Sequence, residues 1–324
     1  MADVSPAGPP AVGAVVATAL AEEQDAVLAV LDDVEVTRDS GRDLYTGRAG
    51  GLRVAVESLH GMGNPGAAVM AGSLLARWRA ERILLVGIAG GFGAAGVRVG
   101  DVVVPDQVVG YEAGKLLPDG AQRRPEAYRP DFDLLAAARS VQPAEWAPPA
   151  AVHFGTVLSG EKVVADADVL AGFRRDWPKA VAVEMESFGV ALAAYRFGGR
   201  FLMVKGVSDL ADEAKDDRGR AGAAEAAARF AAAVLRRLTV AAPAQPDLVV
   251  RGPRMLQICW RLVDDWTKLA LYFEIPPHDR ATFAKGDEPA RVWEWLAARG
   301  RLRELPAALV FIGRADLAEE LLRG

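Results

Sequence analysis

The sequence predicts an α/β unit with a mixed central sheet flanked by helices, followed by a small all-α unit of six short helices. Three observations lead there. Apolar runs alternate with helical patterns over roughly the first 240 of 324 residues; a Pro-rich stretch then breaks the pattern; and 254–324 holds four of the seven tryptophans with no convincing strand. Strands alternating with helices indicate a layered α/β sheet, in which loops at the carboxyl ends of the strands form the pocket. A chain this long is expected to carry two domains rather than one.

The elements follow in order. Residues 1–11 read as a disordered, Pro-rich leader without the basic and apolar regions of a signal peptide. GAVVATAL (13–20) reads as a buried strand, and AEEQDAVLAVLDD (21–33) as a helix with Ala26, Val27, Val30 and Leu31 on one side. GLRVAVESL (51–59) is a second strand. NPGAAVMAGSLLARW (64–78) is a helix with Asn64 as its cap and Pro65 in its first turn. RILLVGIAGG (82–91) and GDVVVPDQVVG (100–110) are strands bracketing a Gly-rich turn; AVHFGTVLSG (151–160), AVAVE (180–184) and RFLMVKGVSD (200–209) are three more. Helices are expected at about 166–176, 186–197 and 219–239, completing a unit over 12–240.

Residues 241–253 read as a linker. Beyond it, helices are expected at 255–263, 265–273, 278–284, 289–299, 303–311 and 315–322. Leu302, Leu305, Leu309 and Ile312, then Leu317 and Leu321, recur at helical spacing and form its core.

Composition narrows the function. Net charge is −5 with acids and bases interleaved, so no nucleic-acid or membrane partner is called for. No run reaches the roughly 18 apolar residues of a membrane helix. One cysteine, Cys259, permits no intrachain disulfide and agrees with a cytoplasmic setting. His60 and His153 have no metal-ligand spacing, and neither a metal nor a cofactor is expected.

The chemistry gathers in acids at the ends of apolar runs. The stretch VAVEMESFGVALAAY (181–195) holds Glu184 and Glu186 around Met185; Glu23 follows the first strand, and Asp209 ends the last. With the GIAGG turn (87–91) they converge on one mouth of the sheet if the strands are parallel there.

These residues resemble the nucleoside phosphorylase and 5′-methylthioadenosine/S-adenosylhomocysteine nucleosidase superfamily. The resemblance covers about 12–240 through ATALAEE, GMGNPGAA, GIAGG with VGDVVVPDQ, LSGEKVV, VEMES and VKGVSDLAD. It implies that Asp209, beside Ser208, protonates N7 of a leaving purine. Glu186 would accept both ribose hydroxyls, with Met185 against the sugar and Glu184 in a buried supporting role. Glu23 would orient or deprotonate the attacking water. Backbone near Val163 and Val164 would read the base edge, Ala89 and Gly90 would let main chain approach the ligand, and Met62 would join the substrate-binding set. Burial at a strand end would favour a protonated acid at Asp209.

Phosphorylases of this superfamily place glycine and arginine after the first strand to hold phosphate. Here ALAEEQDA offers acids instead, which favours hydrolysis, with a phosphorylase or an inactive binding scaffold as the alternatives. The sequence departs from the nucleosidase pattern at Ile88, where a serine is usual, at Lys205, where an arginine is, and at Val163, in place of an aromatic. Lys162, with Lys205 and Lys215 or Arg218, makes a 5′-phosphorylated purine, adenine being the expected base, a candidate substrate beside the plain nucleoside. The family's usual dimer is expected.

The last residues, about 254–323, resemble a death-fold domain through RVWEWLAARGRLRELPAALVFIGRADLAEELL. That resemblance implies a homotypic adaptor that couples the enzyme to a protein partner, as in bacterial or immune effectors.

Overall fold

The computed structural model describes residues 11–39, 41–59, 61–118, 120–146, 150–212, 219–238, 252–299 and 301–322. They form two compact units, one within 1–240 and one within 241–324. Residues 1–10 of the leader expected at 1–11, and His60, Lys215 and Arg218, lie outside the described residues.

The first unit runs β1 (Ala14–Thr18), α1 (Ala21–Leu28), β2 (Asp32–Asp39), β3 (Arg42–Ala49), β4 (Leu52–Ser58), α2 (Asn64–Trp78), β5 (Arg82–Gly91) and β6 (Val102–Gly110). It continues with β7 (Gly114–Leu117), β8 (Gly120–Arg123), β9 (Glu126–Tyr128), α3 (Phe132–Ser140), β10 (Val152–Ser159) and α4 (Ala167–Asp176). It ends with β11 (Ala180–Glu184), α5 (Ser187–Phe197), β12 (Arg200–Asp209) and α6 (Arg220–Arg237).

The main sheet has the order β11-β10-β6-β12-β5-β1-β4-β3-β2, with β9 on β6, and β11 also pairs β5 to close five strands into a ring. Its central strands β1, β5, β6 and β12 are rich in apolar residues without polar alternation because both faces are covered. Ile83 and Leu85 of β5 enter one core with Leu74 of α2 and Val190 of α5. Leu84 and Val86 enter the other with Leu134 of α3 and Phe230 and Val234 of α6. Each such side chain contributes roughly 1.5–3 kcal/mol on burial, so both layers fix the sheet between them.

The sheet topology places the site. β5 lies between β1 and β12 and is parallel to both, with Val16 opposite Leu84 and Asp209 opposite Gly90. The carboxyl ends of these three strands therefore share one edge. β11 meets β5 antiparallel, Val183 opposite Gly90, which brings Glu184 to the same place.

Two expectations are corrected here. The helix read as 21–33 ends at Leu28, and 32–33 already belong to β2. β2 is exposed along all eight residues and pairs antiparallel with β3, so no apolar alternation marks it in the sequence. Asn64 is the first residue of α2, not its cap; Gly63 stands there, and the Asn64 side chain is used elsewhere.

The second unit is the six-helix bundle: α7 (Gly252–Leu262), α8 (Trp266–Tyr272), α9 (Pro277–Arg280), α10 (Glu288–Ala297), α11 (Leu305–Phe311) and α12 (Ala315–Leu322). Ile258, Leu269, Phe273, Trp293, Leu305, Leu309, Leu317 and Leu321 form its core, and Leu302 and Ile312 pack at its margin. Gly252 and Pro253, expected in a linker over 241–253, belong to α7; residues 241–251 lie outside the described residues. Cys259 is a buried free thiol whose pKa is pushed up to about 11 by burial, which keeps it protonated and unreactive at neutral pH. Among the described residues no helix is long and apolar enough to cross a membrane.

Candidate active site

A cavity of about 230 Å³ opens where β1, β5, β11 and β12 end. Its wall includes Glu23, Met62, Ala89, Gly90, Lys162, Val163, Val164, Glu184, Met185, Glu186, Lys205, Ser208 and Asp209, the whole set singled out in the sequence.

Glu23 sits in the first turn of α1, and its carboxylate folds back on the chain. Oε2 accepts from the Ala19 and Leu20 amides at 2.8 and 2.9 Å, and Oε1 from the Ile88 amide at 2.9 Å. Three backbone donors thus fix its position. The Ile88 side chain replaces the usual serine, yet it is the backbone at 88 that engages the acid. Gly87 is required by this approach: a Cβ there would lie 2.4 Å from Oε1. Burial pushes the Glu23 pKa above the usual carboxylate range, and the opposing pull of Lys205 and the three amides does not cancel it. A carboxylate so placed is a stronger base than an exposed one.

Lys205, on β12, is buried between two acids. Its Nζ lies 2.8 Å from Glu184 Oε2 and 2.6 Å from Glu186 Oε2, and all three side chains are at most 5% exposed. Burial pulls the lysine pKa down, but the carboxylates of Glu184, Glu186 and Glu23 outweigh it and raise it overall, so the ammonium stays charged. Glu184 is pushed up by burial and pulled further down by Lys205 and by neighbouring hydroxyls, and it stays ionised. It also accepts from the Glu186 amide at 3.0 Å and the Ser187 hydroxyl at 2.6 Å, which fixes the turn into α5 and so aims Glu186. Glu186 Oε1 takes the Gly63 amide at 3.3 Å. These pairings correct the expectation that Lys205 is available to a charged 5′ group.

Asp209 closes β12. Its Oδ1 accepts from the Ala211 amide at 2.9 Å, and Ser208 Oγ lies 2.8 Å from Oδ2 and 3.4 Å from the Ala89 carbonyl oxygen. Ser208 can therefore serve either protonation state. It donates to an ionised Asp209, or accepts from a protonated one while donating to Ala89.

The mouth is less enclosed. Met62 and Val163 are 60% and 58% exposed, Met185 is half-buried and Val164 is buried. Lys162 lines the cavity and also forms an ion pair, open to solvent, with Glu112 at 2.7 Å outside the lining. His153 is occupied by Asp101 at 2.8 Å, away from the cavity.

One supporting residue escaped the sequence reading. Asn64 Nδ2 donates to Gly160 O at 3.1 Å and Glu161 Oε1 at 3.0 Å, while its Oδ1 accepts from Ser159 Oγ at 3.0 Å and the Gly189 amide at 2.8 Å. It ties α2 to α5 and to the segment leading into Val163 and Val164. The only cue was its place between Gly63 and Pro65, which also suits a cap.

With this geometry in hand, the comparisons decide the family. Residues 12–240 match the model described as the phosphorylase superfamily. The chain belongs to the phosphorylase superfamily. Within the superfamily it is similar to the 5′-methylthioadenosine/S-adenosylhomocysteine nucleosidase of Neisseria meningitidis solved with methylthio-immucillin-A. Identity there is 26% and the TM-score 0.61, over 69% of this chain and 99% of that one. It is also similar to the S-adenosylhomocysteine nucleosidase of Streptococcus pyogenes, at 26% identity and a TM-score of 0.62, over 71% and 98%. The futalosine hydrolase of Helicobacter pylori shares the fold at 20% identity and a TM-score of 0.59, over 69% and 97%. Residues 252–324 match a second model, bacterial death-like domain 3.

Proposed function

We propose that this superfamily member is an N-glycosyl hydrolase that cleaves the base from a purine nucleoside or nucleotide, adenine being the base. The observation that carries this is the meeting of Glu23, Glu186 and Asp209 in one cavity. Breaking an N-glycosidic bond builds positive charge on the ribose ring and negative charge on the departing base. Asp209 meets the second by delivering its proton to the base, and the Ser208 hydroxyl turns to donate to the carboxylate left behind. Glu186, aimed by Glu184 and Lys205, grips the ribose diol and stabilises the ring cation. Glu23, with its raised pKa, takes a proton from the attacking water.

Hydrolysis is favoured over phosphorolysis by the charge at Glu23. Lys205, whose charge acts on Glu23, is committed to two other carboxylates and so is not available to hold an inorganic phosphate dianion beside that acid. The similarity to nucleosidases supports the same reading. Met62 and Val163 leave apolar surface exposed at the mouth, and a second subunit covers it in the dimer we propose. The death-like unit serves as an adaptor that brings the enzyme to a protein partner, as befits a bacterial defence effector acting in the cytoplasm.

The test is direct. The purified protein is incubated with adenosine, methylthioadenosine, S-adenosylhomocysteine, AMP and ATP, with and without phosphate, and free base is measured. Adenine appears at the same rate in both buffers. Release that requires phosphate supports the phosphorylase, and the absence of release from every compound supports the scaffold.

A further inference from the structure

Among the described residues the cavity is lined by three cations, Lys162, Lys205 and Arg220. They are not equivalent. Lys205 is buried and spent on Glu184 and Glu186. Lys162 adjoins Val163 and Val164, the segment assigned to the base edge. Arg220, the first residue of α6, stands on the other side, against the first turn of α1: its Nε and a terminal nitrogen lie 2.7 and 2.6 Å from Glu22 Oε1.

The Glu22 pairing explains how Arg220 could serve a ligand. Arg220 lines the cavity, whereas Glu22, one of its partners, does not. The two side chains are 32% and 40% exposed. An ion pair that open to solvent is worth about 0–1 kcal/mol, and an anion arriving from within can displace Glu22 at little cost. A neutral nucleoside offers nothing that calls for a guanidinium. A phosphoryl group does, because its oxygens match the planar fork of arginine.

The position of the anion follows from the rest of the site and rests on the reading that the cavity holds a purine riboside. C1′ carries the base, at the Asp209 end. The 2′ and 3′ hydroxyls are taken by Glu186. Of the ribose carbons only C5′ is left to bear a charged substituent, and Arg220 is paired with Glu22, the chain neighbour of the Glu23 assigned to the water that attacks the sugar. We infer that Arg220 forms an anion subsite and that the substrate is a purine nucleoside 5′-phosphate, whose phosphoryl oxygens replace Glu22 on the guanidinium.

The experiment uses the full chain and two readouts. In the first, kcat/KM is measured for AMP and for adenosine. AMP is preferred, and Arg220→Ala lowers the AMP-to-adenosine ratio by about tenfold or more, the worth of a lost charge-assisted contact. Glu22→Gln removes the competing acid and moves the ratio the other way. In the second, calorimetry measures AMP and adenosine binding to Asp209→Asn protein, with and without Arg220→Ala. Tighter binding of AMP that depends on Arg220 is expected, and it upholds the subsite even if wild-type protein releases no base, in which case the hydrolytic reading alone falls. Equal affinity for AMP and adenosine, or a ratio untouched by Arg220→Ala, overturns the subsite even if hydrolysis is efficient.

Discussion

Asp209→Asn lowers kcat for purine release by about 10²–10⁴, the usual contribution of a positioned general acid, with little change in KM. The substitution keeps the shape of the side chain. An asparagine oxygen can still accept from the Ala211 amide, as Oδ1 does at 2.9 Å, and the amide group can still meet Ser208. What is lost is the proton. A ribose derivative with a nitrophenolate leaving group, which departs without protonation, separates that loss from a distorted cavity. Its cleavage falls far less than that of a purine nucleoside. An equal fall for both substrates would mean that Asp209 shapes the cavity and does not act as the acid.

Lys205→Met destabilises the first unit by about 3–5 kcal/mol, because it strands two buried carboxylates. For a unit of this size that corresponds to a fall in Tm on the order of 10 °C. In the native protein Glu184 has a lowered pKa, so its contribution is present above the unfolded value of 4.5 and is lost as pH falls through the folded value. Lys205 has a raised pKa, so its contribution is present below the unfolded value of 10.5 and is lost as pH rises through the folded value. The cluster therefore stabilises fully between those two unfolded values. In Lys205→Met the sign at the acid end reverses: protonating the stranded carboxylates relieves the penalty, and the gap to wild type narrows on acidification. Thermal unfolding of both proteins across that range checks this. A gap that is constant with pH would assign the loss to packing alone.

The sequence made some parts of this molecule legible and hid others for physical reasons. β1, β5 and β12 stand out as unbroken apolar runs because both faces are covered, and their parallel order is what turns four scattered acids into one site. The six helices of the second unit are marked by leucines and tryptophans that reappear in its core. β2 left no such mark, being exposed along its whole length where it pairs with β3 at the sheet edge. The Asn64 network joins residues 95 to 125 positions apart, and no local pattern encodes a polar bridge of that reach. Lys205 was legible as a charge near the site but not as a committed one, since its meaning lies in two contacts of 2.6 and 2.8 Å. Arg220 is hidden for the same reason: only the fold brings it to the cavity wall.

The most direct measurement follows the oxygen. Substrate is hydrolysed in ¹⁸O-labelled water containing phosphate, and the sugar product is analysed by mass spectrometry. If Glu23 activates water in the cavity it shares with Glu186 and Asp209, the ribose carries one labelled oxygen at C1′ and no sugar phosphate is formed at that carbon. An unlabelled ribose 1-phosphate would contradict the account.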